Sequence, residues 1–158
     1  MILGTRCPRH GPSPGVDPDP ILNADKLHQV YTAAKPDYTG RVTVPVLWDR
    51  ESETIVNNES SEIIRMLDRE FDGVGATGPV YCPPHLEEEI DAINAFVYDN
   101  VNNGVYRAGF ATTQAAYEAA FDRLFATLDD LEARLSAQRY LVGNRPTEAD
   151  WRLFTTLV

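Results

Sequence analysis

A chain of 158 residues suffices for one ordinary domain or two small ones, and its 43% apolar content is that of a soluble globular protein. Acidic residues outnumber basic ones 24 to 14, so a net charge of −10 sets the surface against nucleic acid and anionic membrane, and neither is an expected partner. No apolar run approaches the length of a membrane span and no signal peptide follows Met1, which makes the cytoplasm the expected compartment. Lysine is confined to Lys26 and Lys35, and an acidic, lysine-poor surface suits a salt-rich cytoplasm in which self-repulsion is screened. Cys7 and Cys82 do not make a disulfide framework.

Residues 1–20 hold Pro8, Pro12, Pro14, Pro18 and Pro20 among little apolar material and read as a disordered leader. A helix is expected over 21–34, with Leu22, Leu27, Val30 and Tyr31 near one side and Pro36 as its stop. The β-branched run 42–48 reads as a strand, which Pro45 confines to an edge or bends. A polar turn over 49–53 leads to a second strand, 54–56. Asn57 and Asn58 supply N-cap chemistry for a helix over 59–67 that buries Ile63, Ile64 and Leu67. The outcome is a ββα unit whose helix opens at Glu59-Ser60.

Glycines and prolines then punctuate 73–84, a linker between a first part over 21–72 and an all-helical part over 85–158. Pro83-Pro84 followed by Glu87-Glu88-Glu89 starts a helix, with Ile90, Ile93, Phe96 and Val101 recurring along it, and Asn102-Asn103-Gly104 is expected to end it. Thr113 caps the next helix, whose apolar line Tyr117, Phe121, Leu124, Phe125, Leu128, Leu131 and Leu135 is expected to be core. Thr147-Glu148-Ala149-Asp150 forms a capping box opening a last helix with Trp151, Leu153, Phe154 and Leu157. Cys7-x-x-His10 and Cys82-x-x-His85 share a zinc-like spacing, but they lie far apart and each contains proline, so no metal is expected. Glu87-Glu88-Glu89 reads as a solvated first turn, and no phosphate loop or nucleophilic serine motif is present.

The run VTVPVLWDRESETIVNNESSEIIRML resembles the second half of the thioredoxin-type domain of glutathione transferases. Its wording VPVLWD…TIVNNESSEIIRM is similar to one branch, the glutathionyl-hydroquinone reductases or Xi class, as are DPDPILNADKLHQVY, KPDYTGRVTVPVLWD and VNNGVYRAGFATTQAAYEAA. The fold this implies is α/β plus all-α: a partial thioredoxin-like ββα half followed by a partial glutathione-transferase C-terminal helical domain. The implied co-substrate is glutathione or a related γ-glutamyl thiol. Its carboxylate would meet the free N–H groups and the Ser60 hydroxyl, its ammonium Glu59, and its cysteinyl backbone Val44, beside a cis Pro45. The competing reading makes Glu59 a helix-capping residue only.

By the same resemblance Tyr106 faces a quinone pocket, where a phenol could steady charge as an aryl–sulfur bond breaks. The alternative is a tyrosine capping a helix–helix joint. The reaction implied is removal of glutathione from glutathionyl-hydroquinones by a cysteine thiolate, leaving a mixed disulfide for a second thiol to resolve. The family's nucleophile opens a Cys-Pro-Trp-Ala motif, whereas this chain has Cys7-Pro8-Arg9-His10, a weak candidate. An interior segment of such a reductase, inactive by itself, is therefore expected, with a non-catalytic thiol-peptide-binding or interaction remnant as the alternative. Small-molecule thiols and quinone conjugates are the expected partners. A strand edge flanked by Val44, Val46 and Leu47 invites self-association or a homo-oligomer.

Overall fold

The computed structural model describes residues 18–158, which divide between Leu67 and Asp68 into two units. In the first unit the helix begins later than its apolar spacing suggests. The Asp19 carboxylate accepts the backbone N–H groups of Ile21 (2.9 Å), Leu22 (3.3 Å) and Ala24 (3.2 Å) and folds 19–24 into a turn. Those bonds, Ile21 and Ala24 foremost, hold its carboxyl below the ordinary aspartate value. Helix α1 is Leu27–Ala34, opened by the Gln29 side chain accepting from the Lys26 N–H (2.8 Å), with Tyr31 as its buried residue.

Strand β1 is only Leu47–Asp49; it runs antiparallel to β2, Thr54–Asn57, with Leu47 opposite Asn57, Trp48 opposite Ile55 and Asp49 opposite Thr54. The expected strand over 42–48 thus pairs only at its end. Pro45 has no N–H to give a ladder, and both backbone groups of Thr43 are engaged by the Tyr31 hydroxyl instead. The turn between the strands closes on Asp49, which accepts from Ser52 Oγ and from the backbone N–H of Glu51 (3.0 Å), bonds that lower its carboxyl pKa. Helix α2 is Ser60–Arg69. It buries Ile63 but leaves Ile64 and Leu67 exposed, contrary to the expected three-residue face, because two short strands offer little surface to cover it.

The second unit begins inside α2. Asp68 accepts the backbone N–H groups of Tyr81 (2.8 Å) and Cys82 (2.9 Å), and Arg69 donates to Cys82 O (2.9 Å) while pairing with Glu87 (3.0 Å). The Glu87 carboxylate raises the Arg69 pKa further. The Gly/Pro-rich stretch is therefore tied down at its far end, and Cys82 is fully buried in the core rather than offered to a metal. Among the described residues no group of three or more His, Cys, Asp or Glu could hold a metal ion; Cys7 and His10 lie outside them.

Helix α3, Glu87–Val97, does not stop where the Asn-Asn-Gly run suggested. It passes through one wider π-type turn, Tyr98–Asn102, into α4, Asn103–Gly109. Asn102 donates sideways to Arg152 O (3.2 Å), and Asn100 donates to Phe96 O (2.9 Å). A Cβ on Gly104 would stand 3.4 Å from Leu124 Cδ1, so the glycine allows close helix packing where local punctuation reads it as a terminator.

Helix α5, Gln114–Ala137, is capped by Thr113 accepting from Ala116 N (3.2 Å). It presses only a narrow line, Leu124, Thr127 and Leu131, into the core. Tyr117, Phe121, Phe125 and Leu135 are exposed, so much of the expected core stripe lies outside. A stripe seven residues strong is wider than the face that α4 and the π-type turn cover.

Helix α6, Glu148–Leu157, opens on the expected capping box. Asp150 accepts from the Thr147 N–H (2.8 Å) and hydroxyl (3.0 Å), and its second oxygen accepts the Leu141 N–H (2.8 Å). Gly143, at φ +70°, closes the preceding turn; a Cβ there would lie 3.0 Å from Leu86 Cδ1. Glu148, only 1% exposed, accepts from the Asn94 amide (2.8 Å) and pairs with Arg152 (3.0 Å) inside a core of Ile90, Val97, Val101, Leu141, Val142 and Leu153. None of the described helices is long and apolar enough to cross a membrane.

Glu148→Ala strands the Asn94 amide and the Arg152 guanidinium and is expected to cost about 3–5 kcal/mol. Asp99→Ala, which removes exposed ion pairs to Arg107 and Arg123, is expected to cost less than about 1 kcal/mol. Urea melts compare them, and equal midpoint shifts would mean that Glu148 is no more committed than a surface carboxylate.

Candidate functional site

In the first unit, Val44, Pro45, Glu59 and Ser60 fall on two segments joined by the Tyr31 hydroxyl and the Asn58 amide. The Tyr31 hydroxyl, on a residue 3% exposed, donates to Thr43 O (2.7 Å) and accepts from Thr43 N (3.2 Å) and from the Asn58 amide (3.1 Å). The other Asn58 amide hydrogen reaches Thr43 Oγ1 (3.1 Å). Thr43 immediately precedes Val44-Pro45, and Asn58 immediately precedes Glu59-Ser60. Burial raises the Tyr31 phenol pKa, but the bonds with the Thr43 side chain, the Thr43 backbone and Asn58 outweigh it and leave the group below the ordinary tyrosine value.

On the first segment the Val44–Pro45 peptide is cis, as the resemblance implied. Val44 is 75% exposed, and no backbone hydrogen bond engages it among the described residues. Its N–H and C=O are thus free to take an extended peptide as an added strand would.

On the second segment the two asparagines divide the work expected of one cap. Asn57 Oδ1 accepts the Glu59 N–H (2.7 Å), while Asn58 turns away to Tyr31. The exposed Glu59 carboxylate receives the Ser61 N–H (3.3 Å) and hydroxyl (3.0 Å) on one oxygen, leaving the other for a cation. Capping and ligand recognition are therefore compatible on this side chain. The Ser60 hydroxyl makes no hydrogen bond among the described residues, and it stands at the positive end of a ten-residue helix. A group with a carboxylate and an ammonium on one carbon matches this donor–acceptor set.

Tyr106 belongs to the second unit, on α4. It is 63% exposed, and its ring stacks on Phe110 with centroids 6.1 Å apart and planes at 9°. Phe110 was not singled out from sequence; its spacing of four from Tyr106 on a helix was the available signal. Arg107, between them, is drawn aside to Asp99 (3.3 Å). The pair offers a flat apolar face with a phenol on its rim, suited to an aromatic ring that carries oxygens. Cys7 lies outside the described residues. Tyr31, Thr43 and Asn58 were also missed as site residues, since a core-facing helical tyrosine carries no local sign of what its hydroxyl will meet.

Comparison with known proteins covers both units. Residues 12–70 match the glutathione S-transferase N-terminal domain, and residues 114–158 match the glutathione S-transferase C-terminal domain. The chain is 61% identical over 147 residues to the glutathionyl-hydroquinone reductase PcpF of Sphingobium chlorophenolicum, an alignment covering 93% of this chain and 47% of that protein. It is 54% identical over 145 residues to the glutathionyl-hydroquinone reductase YqjG of Escherichia coli, covering 92% of this chain and 44% of that protein. The glutathione-bound structure of YqjG superposes with a TM-score of 0.88 at 53% identity, over 92% of this chain and 47% of that one. The glutathione transferase Xi 1 of Trametes versicolor does so with a TM-score of 0.86 at 51% identity, over 92% and 51%. The chain spans about half the length of the curated relatives it matches. It belongs to the glutathione transferase family, on the branch that holds the glutathionyl-hydroquinone reductases and the Xi class.

Proposed function

We propose that this chain carries the thiol-peptide site of a glutathionyl-hydroquinone reductase, with glutathione or a related γ-glutamyl thiol as co-substrate and quinone conjugates as substrates. The observation that carries the reading is the tethering of two open hydrogen-bonding segments, Val44-Pro45 and Glu59-Ser60, through the Tyr31 hydroxyl and the Asn58 amide. A γ-glutamyl thiol would lay its cysteinyl backbone along Val44 and set its carboxylate at Ser60 and its ammonium at Glu59. The names of PcpF and YqjG, and the glutathione bound to YqjG, support that choice of thiol.

In the reaction proposed for the whole protein, a cysteine thiolate attacks the sulfur of the thioether. The S–S bond forms as the aryl–sulfur bond breaks, the aryl carbon takes a proton, and the hydroquinone leaves. A second glutathione thiolate then attacks the glutathionyl sulfur of the mixed disulfide, expelling the cysteine thiolate and leaving as glutathione disulfide. The first unit's own part is to hold the glutathionyl group, and Tyr106 of the second unit is the residue offered to a quinoid ring. A second reading is a non-catalytic thiol-peptide binder. It is favoured by Cys7-Pro8-Arg9-His10, which echoes only the first two letters of the family's nucleophile motif.

Glu59→Ala and Ser60→Ala are each expected to weaken glutathione binding by about 1–3 kcal/mol, the loss of a charge-assisted contact. Calorimetric titration giving one affinity for wild type and both variants would reduce the pair to helix capping. Tyr106→Ala is expected to weaken the binding of free hydroquinone by about 0.5–1.5 kcal/mol, read by NMR titration; an unchanged affinity would remove Tyr106 from the substrate surface. A polypeptide of these 158 residues is expected to bind glutathionyl-hydroquinone without releasing hydroquinone above the uncatalysed rate. Release that Cys7→Ser abolishes would instead make Cys7 the nucleophile.

A further inference from the structure

We infer that Tyr31, paired with Asn58, is a positioning residue that sets the spacing between the Val44-Pro45 segment and the Glu59-Ser60 helix start, and so lets one thiol peptide engage both. The inference rests on the thiol-peptide reading proposed above and assigns its geometry to a side chain outside the four residues that would meet the ligand.

The hydroxyl is used to its full capacity. A phenol has one hydrogen and two lone pairs; here the hydrogen goes to Thr43 O, and the lone pairs take Thr43 N–H and the Asn58 amide. Asn58 completes the clamp through Thr43 Oγ1. The ring cannot swing away from these partners. It is buried on α1 and packs at 4.9 Å, tilted 49°, against Tyr38, whose own hydroxyl is fixed to Arg41 O (2.7 Å).

The two segments have little else to keep them in register. Residues 42–46 lie outside the β1–β2 pairing, and the helix start is itself exposed. A tripeptide must reach from the γ-glutamyl group at the helix start to the cysteinyl backbone at Val44. A change in the distance between them is felt by a ligand that spans both and ignored by one that uses the helix start alone. That difference separates positioning from general stability.

The test titrates the full chain with glutathione and with γ-glutamylmethylamide, by calorimetry and NMR, alongside thermal melts. Tyr31→Phe keeps the ring and deletes the hydroxyl. It is expected to weaken glutathione about tenfold, the loss of one well-made hydrogen bond, while γ-glutamylmethylamide changes less than twofold. Asn58→Ala, an exposed position that does not threaten folding, is expected to show the same split. The double variant is expected to lose no more than the larger single loss, because the two residues act through one hydrogen-bonded unit.

Wild-type glutathione affinity in Tyr31→Phe overturns the inference, as do additive losses in the double variant. Equal weakening of both ligands with a lowered melting temperature also overturns it, reducing Tyr31 to a core residue. Glu59→Ala and Ser60→Ala run in parallel. If neither affects either ligand, the thiol-peptide reading itself fails and this inference falls with it. If they weaken both ligands while Tyr31→Phe weakens neither, the reading stands and only the inference is lost.

Discussion

The first unit depends on the hydroxyl of Tyr31. Its sheet has two strands of three and four residues, and its helices have eight and ten, so backbone pairing and apolar burial alone leave much of the chain unsupported. Side-chain groups make up the difference by bonding backbone polar groups that no ladder satisfies. Asp19, Asp49 and Asn57 each fold a local turn in this way, over two to five residues. Tyr31 does the same across 12 residues to the Thr43 backbone and takes the Asn58 side-chain amide 27 residues away, and thereby joins the unit's helix, its loop and the start of its second helix. A hydroxyl on a buried ring with all its hydrogen-bonding capacity used is costly to disturb, because several partners lose a made bond at once.

The second unit applies the same physics with carboxylates. Asp68 holds the end of the Gly/Pro-rich stretch, Asp150 joins the capping box of α6 to the connector before it, and Glu148 bonds α3 from the first turn of α6. Each acidic group receives N–H donors, which makes a buried or half-buried negative charge tolerable. The asparagines of α3 and its continuation act likewise. Asn102 bonds sideways to the Arg152 carbonyl and the Thr156 hydroxyl of α6, Asn100 bonds back to Phe96 O, and the helix runs on through residues that would end it in isolation.

These devices explain why the candidate binding groups are open. Val44, Ser60 and the second oxygen of Glu59 stay free because neighbours one or two residues away, Thr43, Asn58 and Asn57, carry the structural bonds. Division of labour between adjacent residues places unsatisfied, ligand-ready groups on a fixed frame, which lowers the cost of ordering them when a ligand arrives. On α4 the exposed Tyr106–Phe110 stack is held comparably, with Arg107 drawn off to Asp99 and the aromatic face left clear.

What the sequence determined by itself was whatever short-range chemistry decides. The Thr113 cap, the Thr147–Asp150 box, the Asp49 turn and the helix start at Glu59-Ser60 all depend on groups a few residues apart, so their spacing in the chain is nearly their spacing in space. The run through Val44-Pro45 and Glu59-Ser60 also carried the family. Only the tertiary structure decided which apolar residues are core. The α5 stripe and the α2 face have the right period for burial, but period tells which side is apolar and not how much of it a neighbour covers. It also decided the partners of Tyr31, Asn58 and Glu148, and the passage of the helix through Asn102-Asn103-Gly104. Those outcomes turn on contacts between residues 12 to 54 apart in the chain, and local propensity carries no information about what a side chain will meet at that separation.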